Sequence, residues 1–178
     1  NQDTAFEWTT GAHVKVPRVD ILFSTFMCTD ASSLNNLRSL TAGTVDRGDG
    51  RTGMTCRATF DYAGRHKPCA IFMENVLGIM KRNRGHPPEW DSILKCFSEV
   101  GYDGSMAKFN SCNFYVPQRR WRVYFVAILR AEVTATLNSE AIFATVSRMQ
   151  GSWHLPLASC MGSLCRPYEM LPREAEVF

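Results

Sequence analysis

Val19-Asp20-Ile21-Leu22-Phe23, followed at once by Ser24-Thr25-Phe26-Met27-Cys28-Thr29-Asp30-Ala31-Ser32, is a short apolar run that breaks into small and polar residues carrying one thiol. The run does not alternate strictly, which is the pattern of a strand buried on both faces of a parallel sheet. Ala70–Met73 and Val123–Leu129 have the same compact, branched and aromatic character. The stretches between them read as helices. Thr55–Arg65 suits a short amphipathic helix. Pro88–Val100 puts Trp90, Ile93, Leu94, Phe97 and Val100 on one face, with Pro87-Pro88 ahead and Gly101 behind as a C-cap. Ser39–Gly53, with glycines at 43, 48, 50 and 53, reads as a loop. This rhythm predicts one doubly wound α/β domain with a mainly parallel sheet. In such a sheet ligands bind beyond the carboxyl ends of the strands, where Cys28 lies.

The rest of the composition narrows the partner. The chain has 178 residues, 45% hydrophobic and 21% charged, an ordinary globular balance. No apolar run reaches the roughly 18 residues of a membrane helix. The net charge of +3 is unevenly spread: residues 51–130 hold 13 basic and 6 acidic side chains. A basic centre of that kind suits a phosphate backbone. The seven cysteines are odd in number and show no C-x-x-C spacing, so no metal site is expected and a reducing intracellular compartment is. If the source is eukaryotic, a nuclear location follows.

Two further segments join the thiol. Ile71-Phe72-Met73-Glu74-Asn75-Val76 ends a strand in a polar pair. Val116-Pro117-Gln118-Arg119-Arg120-Trp121-Arg122-Val123-Tyr124-Phe125-Val126 sets polar and cationic side chains directly before a strand. Singly, each has a plainer reading: a packed core thiol, a helix cap, a charged edge strand. Their order and spacing resemble the cytosine-5 DNA methyltransferase family. Its motifs are a thiol loop after a strand, then Glu-Asn-Val, then Gln-x-Arg-x-Arg before another strand. Val100-Gly101-Tyr102, Asn110-Ser111 and Val116-Pro117-Gln118 add to the likeness, which covers about residues 15–130.

The resemblance implies a Rossmann-like, S-adenosylmethionine-dependent fold that methylates C5 of cytosine in DNA. The chemistry explains the residue types. Carbon 5 is a poor nucleophile, and a thiolate adding at C6 turns the ring into an enamine that can attack a methyl sulfonium. By the resemblance Cys28 is that thiolate and Glu74 protonates N3. Arg120 and Arg122 hold the base oxygen and a nearby phosphate, while Asn75, Val76, Gln118 and Arg119 line the substrate site. The base must leave the duplex stack to reach them. Lys81, outside the motifs, is expected to be silent.

The sequence also departs from the family. Met27 stands where proline is usual, Thr29 where glutamine is, and Tyr115 where glycine is common. Loss of the proline, whose ring locks φ, is expected to loosen the thiol loop. The Gly-rich loop of the methyl-donor site and the closing helix have no counterpart, so the fold is expected to be truncated at both ends and poorly soluble alone. Residues 1–130 then form a partial catalytic domain, residues 131–178 begin a variable region, and the donor-binding residues are unknown. Two other readings stand beside this one: a transfer-RNA cytosine-5 methyltransferase, and a non-catalytic nucleic-acid-binding homologue.

Overall fold

The computed structural model of the chain describes residues 4–32, 34–36, 43–82, 87–116 and 118–151. Pro117 of the arginine segment and residues 152–178 of the expected variable region lie outside them. In chain order the elements are β1 (Thr4–Glu7), β2 (Ala12–Lys15), β3 (Ile21–Thr25), α1 (Thr44–Arg47), α2 (Gly50–His66), β4 (Ala70–Asn75), a 3-10 turn (Leu77–Met80), α3 (Glu89–Glu99), β5 (Tyr102–Asn110), a second 3-10 turn (Ser111–Phe114), β6 (Trp121–Leu129) and α4 (Ser139–Arg148). β1 and β2 form a separate antiparallel hairpin. The other four strands make one sheet in the order β3-β4-β6-β5. β3 and β4 are parallel, and β6 runs against both β4 and β5. Three strands therefore point one way and β6 points the other, a mixed sheet that keeps the α/β character.

The three expected strands are neighbours, and the two expected helices form. α3 ends where expected, with Gly101 at φ 90° donating its N–H to Ser98 O at 3.1 Å. α2 starts earlier than its pattern suggests and takes in the end of the expected loop. There Gly53 is required by contact, because a Cβ would lie 2.0 Å from Thr44 O. Glu89 secures the same corner: its carboxylate accepts from Thr44 N at 3.0 Å and Val45 N at 2.8 Å, joining α3 to α1.

β5 carries no apolar pattern that announces it. Tyr-Asp-Gly-Ser-Met-Ala-Lys-Phe-Asn becomes a strand because all nine of its residues find partners on β6. Gly104 in its middle lets Phe97 pack on the sheet, since a Cβ there would meet the Phe97 ring at 2.8 Å. Tyr102 anchors its start. The buried phenol donates to Pro68 O at 2.7 Å, and burial pushes its pKa up to about 12.

One face of the sheet packs on α2 and α3. Ile71, Met73, Val123, Phe125 and Ala127 meet Phe60, Ala63, Ile93 and Phe97, with the Phe60 and Phe97 rings edge-to-face at 5.1 Å. The opposite face is covered over β5 and β6 by Phe143 of α4, against Phe109, Val126 and Ile128. β3 corrects the sequence expectation of burial on both faces: Ile21 is 52% and Phe23 75% exposed. It is an edge strand, and the Phe23 ring stacks on Phe72 at 5.0 Å. Removing the fully buried Phe97 ring is expected to cost about 3–5 kcal/mol, so Phe97→Ala should lower the urea midpoint strongly. Phe23→Ala, on the uncovered face, should move it by less than about 1 kcal/mol.

Candidate active site

Strand direction assembles the site. Thr25 pairs with Glu74 in the parallel β3–β4 ladder, so both strands end at one edge. β6 is antiparallel to β4 and starts at that same edge, with Asn75 opposite Val123. Three chain segments far apart in sequence thus meet: the Cys28 loop, the end of β4 and the beginning of β6. Arg122 Nε donates to Glu74 Oε1 at 2.7 Å, with side chains 20% and 30% exposed. Its Nη1 also donates to Trp121 O at 2.8 Å, which fixes the guanidinium plane. Cys28, three residues beyond β3, is half-buried and carries a free thiol.

The thiol loop is held on both sides of Cys28. Met27 N–H donates to Thr55 Oγ1 at 3.0 Å, and Asp30 N–H donates to Thr52 Oγ1 at 3.0 Å. Thr52 N–H returns a bond to Asp30 Oδ2 at 2.9 Å. Both threonines lie in the first turns of α2, so the helix start clamps the loop. Asn75, almost wholly buried, donates to Phe26 O at 3.1 Å and accepts from Val76 N at 2.8 Å. Its amide shapes the pocket by fixing the loop. Gly78 closes the other side, because a Cβ there would lie 1.7 Å from Ala31 O. With Met27 at the proline position, the loop is held through its own backbone N–H groups. A proline has no N–H, and at this position Met27 uses its own as a tether.

The arginine segment is pinned through its backbone. Asn110 Oδ1 accepts from Arg120 N at 3.0 Å and from Cys112 N at 3.4 Å, and Ser111 N donates to Arg120 O at 3.1 Å. Ser111 Oγ donates to Gln118 O in a short bond. Gln118, Arg119 and Arg120 are exposed, and of the three arginines only Arg122 pairs with Glu74. Tyr115, at a position where the family favours glycine, adopts φ 63°. The backbone keeps the left-handed geometry that makes glycine common there.

Two of the other thiols are poor competitors. Burial pushes the pKa of Cys56 and Cys96 up, so both stay neutral and pack as small hydrophobes. Among the described residues no group of three His, Cys, Asp or Glu side chains could hold a metal, and no helix is long and apolar enough to cross a membrane. A cavity of about 420 Å³ borders the Glu74–Arg122 pair, lined by Val76 and Arg122 and also by Lys81 and Trp121. Sequence reasoning passed over the last two. Trp121 has one signal, an aromatic ring set between two arginines; Lys81 has none without the fold.

The chain is 29% identical over 147 residues to the DNA (cytosine-5-)-methyltransferase DMT5 of Cryptococcus neoformans var. grubii, a match covering 82% of this chain and 6% of that protein. It is 35% identical over 74 residues to the type II methyltransferase M.BanI of Aneurinibacillus aneurinilyticus, covering 42% of this chain and 17% of that one. The chain thus spans a small fraction of the length of both relatives. Among solved structures, the Dnmt2 methyltransferase of S. pombe superposes with a TM-score of 0.46 at 15% identity, over 70% of this chain and 34% of that one. The family model for C-5 cytosine-specific DNA methylases matches residues 2–153. A match of that extent covers both the sheet and the edge where Cys28, Glu74 and Arg122 meet, and the chain belongs to the C-5 cytosine-specific DNA methylase family.

Proposed function

We propose that the protein containing this chain transfers a methyl group from S-adenosylmethionine to carbon 5 of cytosine in DNA, through a transient bond between Cys28 and carbon 6. The observation that carries this reading is the meeting of the Cys28 loop, Glu74 and Arg122 at one sheet edge, with Glu74 and Arg122 joined at 2.7 Å. Arg122 offers further guanidinium donors to the base oxygen O2, and Arg120, exposed beside it, takes a phosphate. Gln118 and Arg119, also exposed, face the substrate strand. Val76 forms a wall for the base, which leaves the duplex to enter.

The steps balance on these residues. The Cys28 thiolate adds to C6, and the electron pair of the C5–C6 double bond moves into the ring as the protonated Glu74 carboxyl gives its proton to N3 and becomes the carboxylate that Arg122 pairs. Carbon 5, now enamine-like, accepts the methyl group that the donor supplies. Loss of the C5 proton to water restores the double bond and expels the thiolate, and the N3 proton returns to the Glu74 carboxylate. No residue of this chain is assigned to holding the donor. The tethered loop favours this reading over a non-catalytic homologue, because Met27 and Asp30 keep the nucleophile in place without the proline.

In the full-length protein, Cys28→Ser should lower methyl transfer at least about a thousandfold while DNA binding persists, because an alcohol is scarcely ionised at neutral pH. Glu74→Gln should lower kcat by about 10²–10⁴-fold, the range of general acid catalysis. A duplex carrying 5-fluorocytosine at the target should trap a denaturation-resistant adduct after methyl transfer, since fluorine cannot leave as a cation. An adduct formed equally by Cys28→Ala would reassign the nucleophile to Cys69 or Cys112.

The tether yields its own expectation. Thr55→Val removes the acceptor of Met27 N–H, a bond worth about 1 kcal/mol, and should slow transfer roughly fivefold. Rates at saturating DNA would show it; an unchanged kcat would mean the loop is positioned without that bond.

A further inference from the structure

The cavity beside the Glu74–Arg122 pair has two walls of different standing. Val76 and Arg122 belong to the base site just described. The remainder is assigned to nothing: Ser32 and Leu34 from the thiol loop, Leu77, Gly78 and Lys81 at the 3-10 turn, and Trp121 at the start of β6. The close approach of Gly78 to Ala31 makes the loop and the turn one continuous floor.

Two side chains of this outer wall are exposed to solvent. Trp121 is 43% exposed at the first position of its strand, and Lys108 Nζ lies 5.9 Å from its ring centroid. Lys81 is exposed, and among the described residues no carboxylate pairs with its ammonium. Among the described residues the cavity is lined by two cations, Lys81 and the Glu74-paired Arg122, and by no acid, with Lys108 close to its aromatic rim. That combination selects an anionic partner with a flat apolar surface.

We propose that this outer wall seats the nucleotide adjacent to the target base on the substrate strand, its phosphate on Lys81 and its base against the Trp121 ring. The proposal rests on the reading of the neighbouring site as one that takes a flipped base. Three considerations support it. Extruding a base strips its neighbour of a stacking partner, and an aromatic side chain replaces that surface whatever the neighbour's identity. A lysine is a point charge suited to a single phosphate. The volume of about 420 Å³ falls within the roughly 300–1,000 Å³ of small-molecule sites and continues directly from Arg122. Lys81, silent in the sequence, thus becomes a substrate-binding residue.

The test uses the full-length protein and a duplex with one target cytosine, with DNA affinity measured across salt concentrations and steady-state rates in parallel. Lys81→Ala should raise the KM for DNA about tenfold, leave kcat within about twofold, and reduce the slope of log affinity against log salt by about one. Lys81→Arg should restore all three. Trp121→Ala should weaken binding about tenfold with the salt slope unchanged, and Trp121→Phe should retain most of the affinity. Lys95→Ala, on α3 beside Glu99, should behave as wild type.

Wild-type KM and salt slope in Lys81→Ala, or wild-type binding by Trp121→Ala, would overturn the proposal while leaving the methyl-transfer reading intact. A fall in kcat with unchanged KM across all variants would assign these residues to structure and also overturn it. If the wild-type protein binds DNA with the expected variant pattern but transfers no methyl group, the nucleotide seat stands and the catalytic reading fails.

Discussion

Everything at the candidate site depends on the pairing of β4 with a parallel neighbour on one side and an antiparallel neighbour on the other. A parallel pair ends together, and an antiparallel partner begins where the others end. The register Thr25↔Glu74 and Asn75↔Val123 therefore delivers a thiol loop, a carboxylate and a guanidinium to one edge. A slip of one residue in β4 would exchange its two faces. Glu74 would turn toward the helix side and Asn75, with its bond to Phe26 O, would turn away from the loop it holds. The buried Ile71 and Met73 on the helix face oppose such a slip, so the core that stabilises the sheet also sets the chemistry.

The thiol loop shows how one family geometry can be maintained by different means. A proline limits a loop by covalent restriction of φ. Here Met27 lacks that restriction but keeps an N–H, and Thr55 accepts it. Thr52 and Asp30 form a reciprocal pair on the far side of Cys28. The early start of α2 matters for this reason: its first turns supply both hydroxyls. The backbone of the arginine segment is treated in the same way, with one amide oxygen of Asn110 taking two N–H groups. Amides and hydroxyls, with the Asp30 carboxylate, thus do the positioning in both segments.

The uncovered face of β3 stands apart from this economy. Ile21 and Phe23 are exposed on a strand whose other neighbours are well packed, and an apolar edge of that kind tends to associate. The helix side of the same strand is served differently, by the bond between Ser24 and Thr59 hydroxyls at 2.7 Å. Packing in this sheet is therefore strongest around β4 and β6, the two strands that bear Glu74 and Arg122, and weakest at β3.

The sequence by itself displays the residue types on which the proposed chemistry rests. The apolar runs, the Glu-Asn-Val strand end, the arginine segment and a thiol after a strand are local patterns, and local patterns survive in one dimension. It also set α3, because five apolar residues on one face and a glycine behind them need no partner to be recognised. What only the tertiary structure decided follows from contacts between distant residues. β5 is a strand because β6 offers nine partners; β3 is half exposed because no described element covers its outer face. Met27 is a tether because Thr55 lies beside it. Lys81 and Trp121 share a cavity because the turn after β4 folds against the loop after β3, at a glycine with no side chain to hold them apart.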